Sequence, residues 1–356
     1  MVEVAKIKGI TILGTGDILL KSWSDMLEWA LEFNEGFYYF DSLPIILTGE
    51  MNLTFEQSNR LKMFHIVLVF PDFDAVFEFK QCFKGANFDG IARPNIRMKP
   101  SEFLKKVKLV NPDIEVILAH IFTPHYGVLG AGNNFKSLEE VFEENVSDDV
   151  FLETGLSADP NMVFSIEELR KYTVVSSSDA HSSSRIGREA TCVRAAHSFR
   201  ELFANLKEHD NLFTLEDFPC LGKYYLDGHR NCKFKTDVFS VEKCPCCGKK
   251  LTKGVLHRVI ELGGFGDNGS LQKFFNIIPL KEILQRNYKK SDVEKVYLTL
   301  LNEFENEINV VFFADLDDLS YYLNDSAIFT LKSVREGSLD FDCGYDGVYG
   351  KWKIPV

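Results

Sequence analysis

The chain has 356 residues, 45% hydrophobic and 13% aromatic, enough for a globular protein with a barrel-sized domain and a smaller one. No stretch reaches the roughly 18 uninterrupted apolar residues of a membrane span and no signal peptide is visible, so a cytoplasmic protein with no membrane partner is expected. The net charge of −12 argues against a nucleic-acid partner until its distribution is read. Leu221–Ile260 carries nine Lys or Arg against three acids, and Glu78–Lys108 eight against three. Two basic stretches suit a phosphate-binding surface, or else two solvated lysine-rich faces.

Strand-like segments then recur, each delivering an acid or an imidazole. Gly9–Gly14 runs into Asp17, and a helix is predicted over Asp25–Phe33. Ile45–Leu47 runs into Glu50, and His65 sits inside the apolar run Lys62–Phe70. Helices over Asp74–Cys82 and Ser101–Val110 precede Val116–Leu118, which ends at Ala119-His120. Helices over Leu138–Glu144 and Ile166–Arg170 follow, with Ser137/Glu140 and Ser165/Glu168 at capping-box spacing. Tyr172–Val175 then leads to Ser178-Asp179-Ala180-His181. Such alternation predicts a mostly parallel sheet, most simply an α/β barrel, whose active site lies at the strand C-terminal ends. Carboxylates and imidazoles brought there from several strands are what a catalytic metal cluster needs.

Within that set, His65 and His120 read as metal ligands, set against satisfied core histidines. Asp179 and His181, two apart after a strand, point at one site or bracket two metals. Glu50 suits a carboxylate bridging two cations. Asp17 reads either as a ligand or as a hydrogen-bond partner of a ligand histidine. Glu153, Ser157 and Asp159 face a substrate, support the ligands, or belong to an ordinary loop. Arg185 and Arg188 follow the Asp-Ala-His turn, where they would clamp a phosphate.

From about Asn211 to Gly264 the chain turns rich in Cys, Lys, Gly and aromatics. His229-x2-Cys232 and Cys244-x2-Cys247 form a two-by-two ligand set suited to a closed, tetrahedral structural Zn2+ site. His257 and Cys220 compete with His229 for the fourth place, and reduced, packed cysteines are the plainer alternative. From Leu271 helical patterning returns, and Ser291/Glu294 opens a helix expected to run to about Glu307.

At these residues the chain resembles a PHP-domain metal-dependent phosphoesterase, and more closely the endonuclease Q family. The matching stretches include Gly14–Asp17, Leu47–Glu50, Ala119-His120 with Thr123-Pro124, Phe135–Val141 and Glu153–Asp159. They continue through Ser176–Ser182, Gly187–Thr191, Asp227–Cys232, Cys244–Val259 and Gly344–Gly350. The resemblance implies a PHP-type distorted α/β barrel over residues 1–210, a zinc-binding module over 211–265, and a helical, DNA- or lesion-contacting C-terminal region over 266–356. It implies hydrolysis of DNA on the 5′ side of a deaminated base (uracil, hypoxanthine, xanthine) or an abasic site, read with the base out of the stack. Glu50, His65 and His120 would share one metal, with Asp179 and His181 completing neighbouring sites and Asp17 joining Glu50 and Asp179 in catalysis. Two or more divalent cations (Mg2+, Mn2+ or Zn2+) would then work beside the structural Zn2+. Damaged DNA is the implied partner and the nucleoid the implied location. A sliding clamp is carried as a further candidate partner, although the tail Lys351–Val356 is too short to identify a partner motif.

The chain departs from that pattern near its start. PHP proteins usually open on a strand with a His-x-His pair, and none exists here; Leu20 also stands near Asp17 where a histidine is often found. Met1-Val2-Glu3-Val4 reads as part of the following helix, so a barrel without its first strand is expected. Two other functions compete with the endonuclease: a PHP phosphatase of small phosphate esters, and a catalytically impaired DNA-binding relative. The zinc module argues against the first. The retained Glu50, His65, His120, Asp179 and His181 argue against the second, because unpaired neighbouring carboxylates destabilise a fold that does not use them.

Overall fold

The computed structural model of the chain describes residues 1–90, 93–143, 150–208, 213–265 and 271–354. It opens with α1 (Val2–Lys8), β1 (Leu13–Gly14), α2 (Lys21–Ala30), β2 (Glu32–Asn34) and β3 (Phe37–Phe40). A long hairpin follows, β4 (Leu43–Gln57) and β5 (Arg60–Phe70). Then come α3 (Phe73–Cys82), β6 (Asn95–Arg97), α4 (Pro100–Val110), β7 (Glu115–Leu118), α5 (Leu138–Phe142), β8 (Val150–Glu153), α6 (Pro160–Phe164) and β9 (Val174–Val175). The strands form one sheet in the order β2-β3-β4-β5-β7-β8-β9, with β1 and β6 along β4. The fold is α/β, and among the described residues the sheet curls as a half-barrel without closing.

The sheet is mixed, which corrects the expectation of mostly parallel strands. Neighbours from β2 to β7 are antiparallel, whereas β7–β8 and β8–β9 are parallel, as are β1 and β6 with β4. The reason lies in Ser58-Asn59, the two residues between Gln57 and Arg60, both at positive φ (52° and 56°). That is the type I′ hairpin turn, whose twist matches the flanking strands, and a link so short forces an antiparallel pair. Glu50 consequently lies within β4, opposite Val67, and not at a strand end.

Helix boundaries shift for local reasons. The helix expected over Asp25–Phe33 spans Lys21–Ala30, and Phe33 pairs with Tyr38 in an edge hairpin. Ser137 caps α5 by accepting from the Glu140 N–H, and Glu144, its expected end, lies outside the described residues. Ser165 donates to the Met162 carbonyl, Glu168 accepts from the Leu138 N–H, and the N-cap position of the following turn falls on Ile166. The segment expected as Ile166–Arg170 is a 3-10 turn over Glu167–Lys171.

Beyond the sheet lie β10 (Ala190–Cys192), α7 (Phe199–Lys207), β11 (Phe213–Asp217), β12 (Asp227–His229), β13 (Phe234–Thr236), α8 (Val255–Glu261) and β14 (Lys273–Ile277). The C-terminal part comprises α9 (Leu280–Asn287), α10 (Lys290–Phe304), α11 (Leu316–Leu319), α12 (Asp325–Arg335), β15 (Asp340–Asp342) and β16 (Lys351–Lys353). Ser291 and Glu294 lie inside α10 and do not box its start, which has no side-chain cap. One apolar core fills the sheet and its helices around Met51, Phe64, Phe103 and Leu118; another fills the C-terminal part around Leu284, Leu300 and Leu331. The two ends of the chain are clasped by a buried ion pair, Lys8 Nζ to Glu307 Oε1 at 2.9 Å. Glu307 also accepts from the Tyr297 hydroxyl and the Leu280 N–H, both at 2.9 Å. Among the described residues no helix is long and apolar enough to cross a membrane.

Candidate metal centres

Three of the predicted ligands converge. Side chains on one face of a strand alternate, so β4 and β5 aim Glu50 and His65 at a common point, and His120 arrives just past the end of β7. Glu50 Oε1 lies 2.7 Å from His65 Nδ1 and 3.7 Å from His120 Nε2, and the two imidazole nitrogens are 3.1 Å apart. One ligand atom from each residue falls within 4.8 Å of the others, a spacing that fits a divalent cation. Burial alone would raise the Glu50 carboxyl, but His120, His65 and Arg93 hold it well below the usual carboxylate range. Burial pushes His65 down, whereas Glu50 and Glu153 outweigh the same penalty at His120 and push it up.

The backbone at this centre is strained. His120 and Asp179 have φ of 31° and 40°, a region costly for residues with a Cβ and found where a site fixes them. His120 is pinned by its N–H, which donates to Glu153 Oε2 at 2.9 Å. Across from it a Cβ on Gly155 (φ 70°) would stand 2.4 Å from His120 Cβ, so only glycine fits there. Glu153 is buried, and burial raises its pKa.

Asp17, Asp179 and His181 do not join the three-residue group within ligand distance. They line the same cavity as Glu50 and His120, a space of about 1410 Å3. Asp17 is exposed in the loop whose Gly16 carbonyl accepts from the Glu50 N–H at 3.3 Å. Asp179 is near enough for its charge to raise the pKa of His120 and Glu153. His181 is largely exposed and places Nδ1 3.0 Å from the Asp179 carbonyl.

The four residues expected to hold substrate fall differently. Ser157 is buried and accepts from the Tyr224 N–H, and Asp159 caps α6 through the Met162 N–H at 2.9 Å. Both are committed to local structure, because a short polar side chain next to a turn or helix start satisfies backbone donors first. Arg188 is buried and donates to the carbonyls of Ser178 and Asp179, so it braces the Asp179 loop in place of a surface phosphate clamp. Arg185 is exposed and lies over the Tyr349 ring at 5.9 Å.

Two side chains at the centre escaped the sequence. Arg93 contacts Glu50 Oε2 through Nη2 and brings Nη1 within 3.0 Å of His65 Nδ1. Tyr126 stacks on His65 with ring centroids 4.5 Å apart, a half-exposed lid on that imidazole. Arg93 belongs to the basic stretch Glu78–Lys108, but nothing in its spacing separates it from the surface lysines around it.

The second group is His229, Cys232, Cys244 and Cys247, again with one ligand atom from each within 4.8 Å. β12 and the turn Arg230–Cys232 bring the first pair. The second pair sits on a knuckle in which Gly248 (φ 69°) donates to the Cys244 carbonyl at 2.8 Å. Burial opposes it, yet the backbone N–H groups of Cys246 and Cys247 bring the Cys244 thiol down to about 7, toward the thiolate a metal takes. The competing fourth ligands are engaged elsewhere: His257 Nδ1 lies 2.6 Å from Asp227 Oδ2, and Cys220 pairs with Cys343. Between Lys223 and Lys253 the buried apolar residues are Cys244 and Leu251, too few to hold that segment without a cross-link. Soft thiolates with one imidazole fit Zn2+, whereas the carboxylate and two imidazoles fit a harder catalytic cation.

No protein-family model matches the chain. Among curated proteins it is 28% identical to the uncharacterized protein YqxK of Bacillus subtilis (strain 168), over 99% of this chain and 91% of that one. It is 30% identical to the uncharacterized protein MJ0043 of Methanocaldococcus jannaschii, over 61% of this chain and 30% of that one. Among solved structures it superposes on the lesion-specific endonuclease PfuEndoQ of Pyrococcus furiosus with a TM-score of 0.85 and 27% identity, covering 99% of this chain and 89% of the other. The same score and identity relate it to endonuclease Q in complex with a 27-mer duplex substrate carrying an abasic lesion at the active site, 90% of which is covered. The chain is similar to endonuclease Q in both fold and sequence over nearly its whole length, which supports its placement in that family.

Proposed function

We propose that this protein is a DNA repair endonuclease that hydrolyses the phosphodiester 5′ to a deaminated base or an abasic site. The observation that carries the reading is the whole-length likeness to an endonuclease Q bound to an abasic duplex. The convergence of Glu50, His65 and His120 at the wall of a large cavity supports it. In this reading residues 1–210 are the PHP-type catalytic unit, 211–265 the zinc module and 266–356 a DNA-contacting region. The damaged nucleoid is the place of action.

A divalent cation at Glu50, His65 and His120 would supply a lowered pKa for a bound water and a positive charge for the scissile phosphate. The chain does the rest. Glu50 stays ionised because two imidazoles and a guanidinium surround it, so it meets the cation as a carboxylate. Glu153 fixes His120 through its N–H, and Arg188 fixes the Asp179 loop from behind. Asp179 and His181 would complete neighbouring cation sites, and Asp17 borders Glu50 on the cavity wall. Arg185, exposed beside Tyr349, is the better placed of the two arginines to meet a DNA phosphate.

One observation favours the catalytically impaired reading: among the described residues only three catalytic-type ligands gather within ligand distance. Two substrates separate the readings. A duplex with one abasic site should be nicked in Mn2+ while p-nitrophenyl phosphate is left intact. Binding without nicking would favour the impaired relative, and hydrolysis of the small ester alone would favour the phosphatase.

A further inference from the structure

The guanidinium of Arg93 engages two of the three residues that a catalytic cation requires: it takes Glu50 Oε2, beside the Oε1 that faces the imidazoles, and both ring nitrogens of His65. Nη2 bonds Glu50 Oε2, and Nη1 lies 3.0 and 2.9 Å from Nδ1 and Nε2 of His65. An arginine carries five donors and no acceptor and does not lose its proton, so it cannot become a ligand itself. A metal ion bound at about 2.0–2.2 Å from a carboxylate oxygen and an imidazole nitrogen would stand against Nη1, where two positive charges repel in a partly buried site. Arg93 and the cation therefore compete at His65 and repel each other beside Glu50. Its side chain is 30% exposed and lines the cavity, so the direction open to it is away from the ligands and into the cavity. There its planar fork matches two non-bridging oxygens of a phosphodiester.

We infer that Arg93 is an exchange residue: it neutralises Glu50 until a divalent cation takes the ligand atoms, and the displaced guanidinium then binds the phosphate beside that cation. The inference rests on the endonuclease reading for the identity of the phosphate, but not for the competition with metal. It makes metal uptake and phosphate binding mutually favourable at one centre, because the phosphate draws Arg93 off the ligands. No proton or bond changes hands in the exchange; one cationic contact replaces another.

The test is Mn2+ titration of the zinc-loaded protein, followed by the EPR signal of free Mn2+, with anisotropy on an abasic duplex as a second readout. Arg93→Ala should bind Mn2+ about tenfold more tightly, since the competing cation is gone, and bind the duplex about tenfold more weakly, since a bidentate phosphate contact is lost. Arg93→Lys should keep the competition and lose the fork, giving near-native Mn2+ affinity with weakened duplex binding; it also covers the case in which the alanine variant does not fold. Added duplex should tighten Mn2+ binding more in the native protein than in Arg93→Ala, where only the direct attraction between cation and phosphate remains. Unchanged or weaker Mn2+ binding in Arg93→Ala would overturn the exchange, and unchanged duplex affinity would overturn the phosphate role. Failure of the endonuclease reading shows separately, as absent nicking with the Mn2+ result intact.

Discussion

Arg188 donates from Nη2 to the carbonyl oxygen of Asp179 at 3.0 Å and from Nε to that of Ser178 at 2.7 Å. A buried guanidinium thus holds, from inside the protein, the loop whose backbone is strained at Asp179. Removing it takes a donor from each carbonyl, leaving His181 Nδ1 beside that of Asp179, and leaves the strain unopposed, at about 1–3 kcal/mol for the lost bonds. Arg188→Ala is expected to lower the thermal midpoint and to reduce turnover more than duplex affinity. Arg188→Lys, with a single head group, should recover part of the stability. If turnover survived both substitutions, the Asp179 loop would have no part in catalysis.

The clasp between Lys8 and Glu307 makes a second prediction. Glu307 satisfies a lysine, a tyrosine hydroxyl and a backbone N–H at once, all buried. Glu307→Ala strands all three, and breaking a buried pair from one side costs about 3–5 kcal/mol. Urea denaturation should show that loss. Lys8→Met, which removes a charge whose partner keeps two other donors, should cost less than Glu307→Ala; the reverse order would refute this account of the clasp.

Cys232→Ser should abolish one equivalent of bound zinc per chain by elemental analysis. The segment from Asp227 to Thr252, with so little apolar burial of its own, should then become open to limited proteolysis. Mn2+ uptake at Glu50, His65 and His120 should not change, because the two groups share no residue. A protease-resistant variant without zinc would mean that the hairpin β12–β13 holds itself.

A pH dependence follows from the buried acids of β11. Burial raises Glu216 to about 8 and Asp217 to about 7. The folded state therefore binds protons that the unfolded chain has released, and these groups stabilise the fold fully only below their unfolded values near 4. Their contribution is lost as pH rises from about 4 through 7 to 8. Urea midpoints should fall across that window, and Glu216→Gln, which keeps an acceptor for Ser176 and Thr154, should flatten the slope. An unchanged slope would show that Glu216 is ionised throughout.

Much of this was legible in the chain. His229, Cys232, Cys244 and Cys247 are close in sequence, and a four-ligand knuckle is a local pattern. Glu50, His65 and His120 announced themselves because acids and imidazoles at the ends or middles of apolar runs are costly unless used. The hairpin was missed because Ser58-Asn59 is a weak turn signal beside Asn-Gly, and with it went the antiparallel sheet. Ser157, Asp159 and Arg188 suit a substrate, a supporting role or an ordinary loop by residue type alone; their hydrogen bonds to the backbone depend on side-chain direction, which the sequence does not carry. Arg93 was lost among lysines because only the fold carries it from the basic stretch to Glu50.

The central claim is lesion-directed, metal-dependent cleavage, and a mapped nicking assay tests it most directly. A labelled duplex with one abasic site, uracil or hypoxanthine is incubated with the protein and Mn2+, and the product is sized to the nucleotide. The account predicts one cut on the 5′ side of the lesion, absent in EDTA, with Glu50→Gln and with Asp179→Ala. Cleavage that persists in either variant, or that falls equally on undamaged duplex, would contradict it.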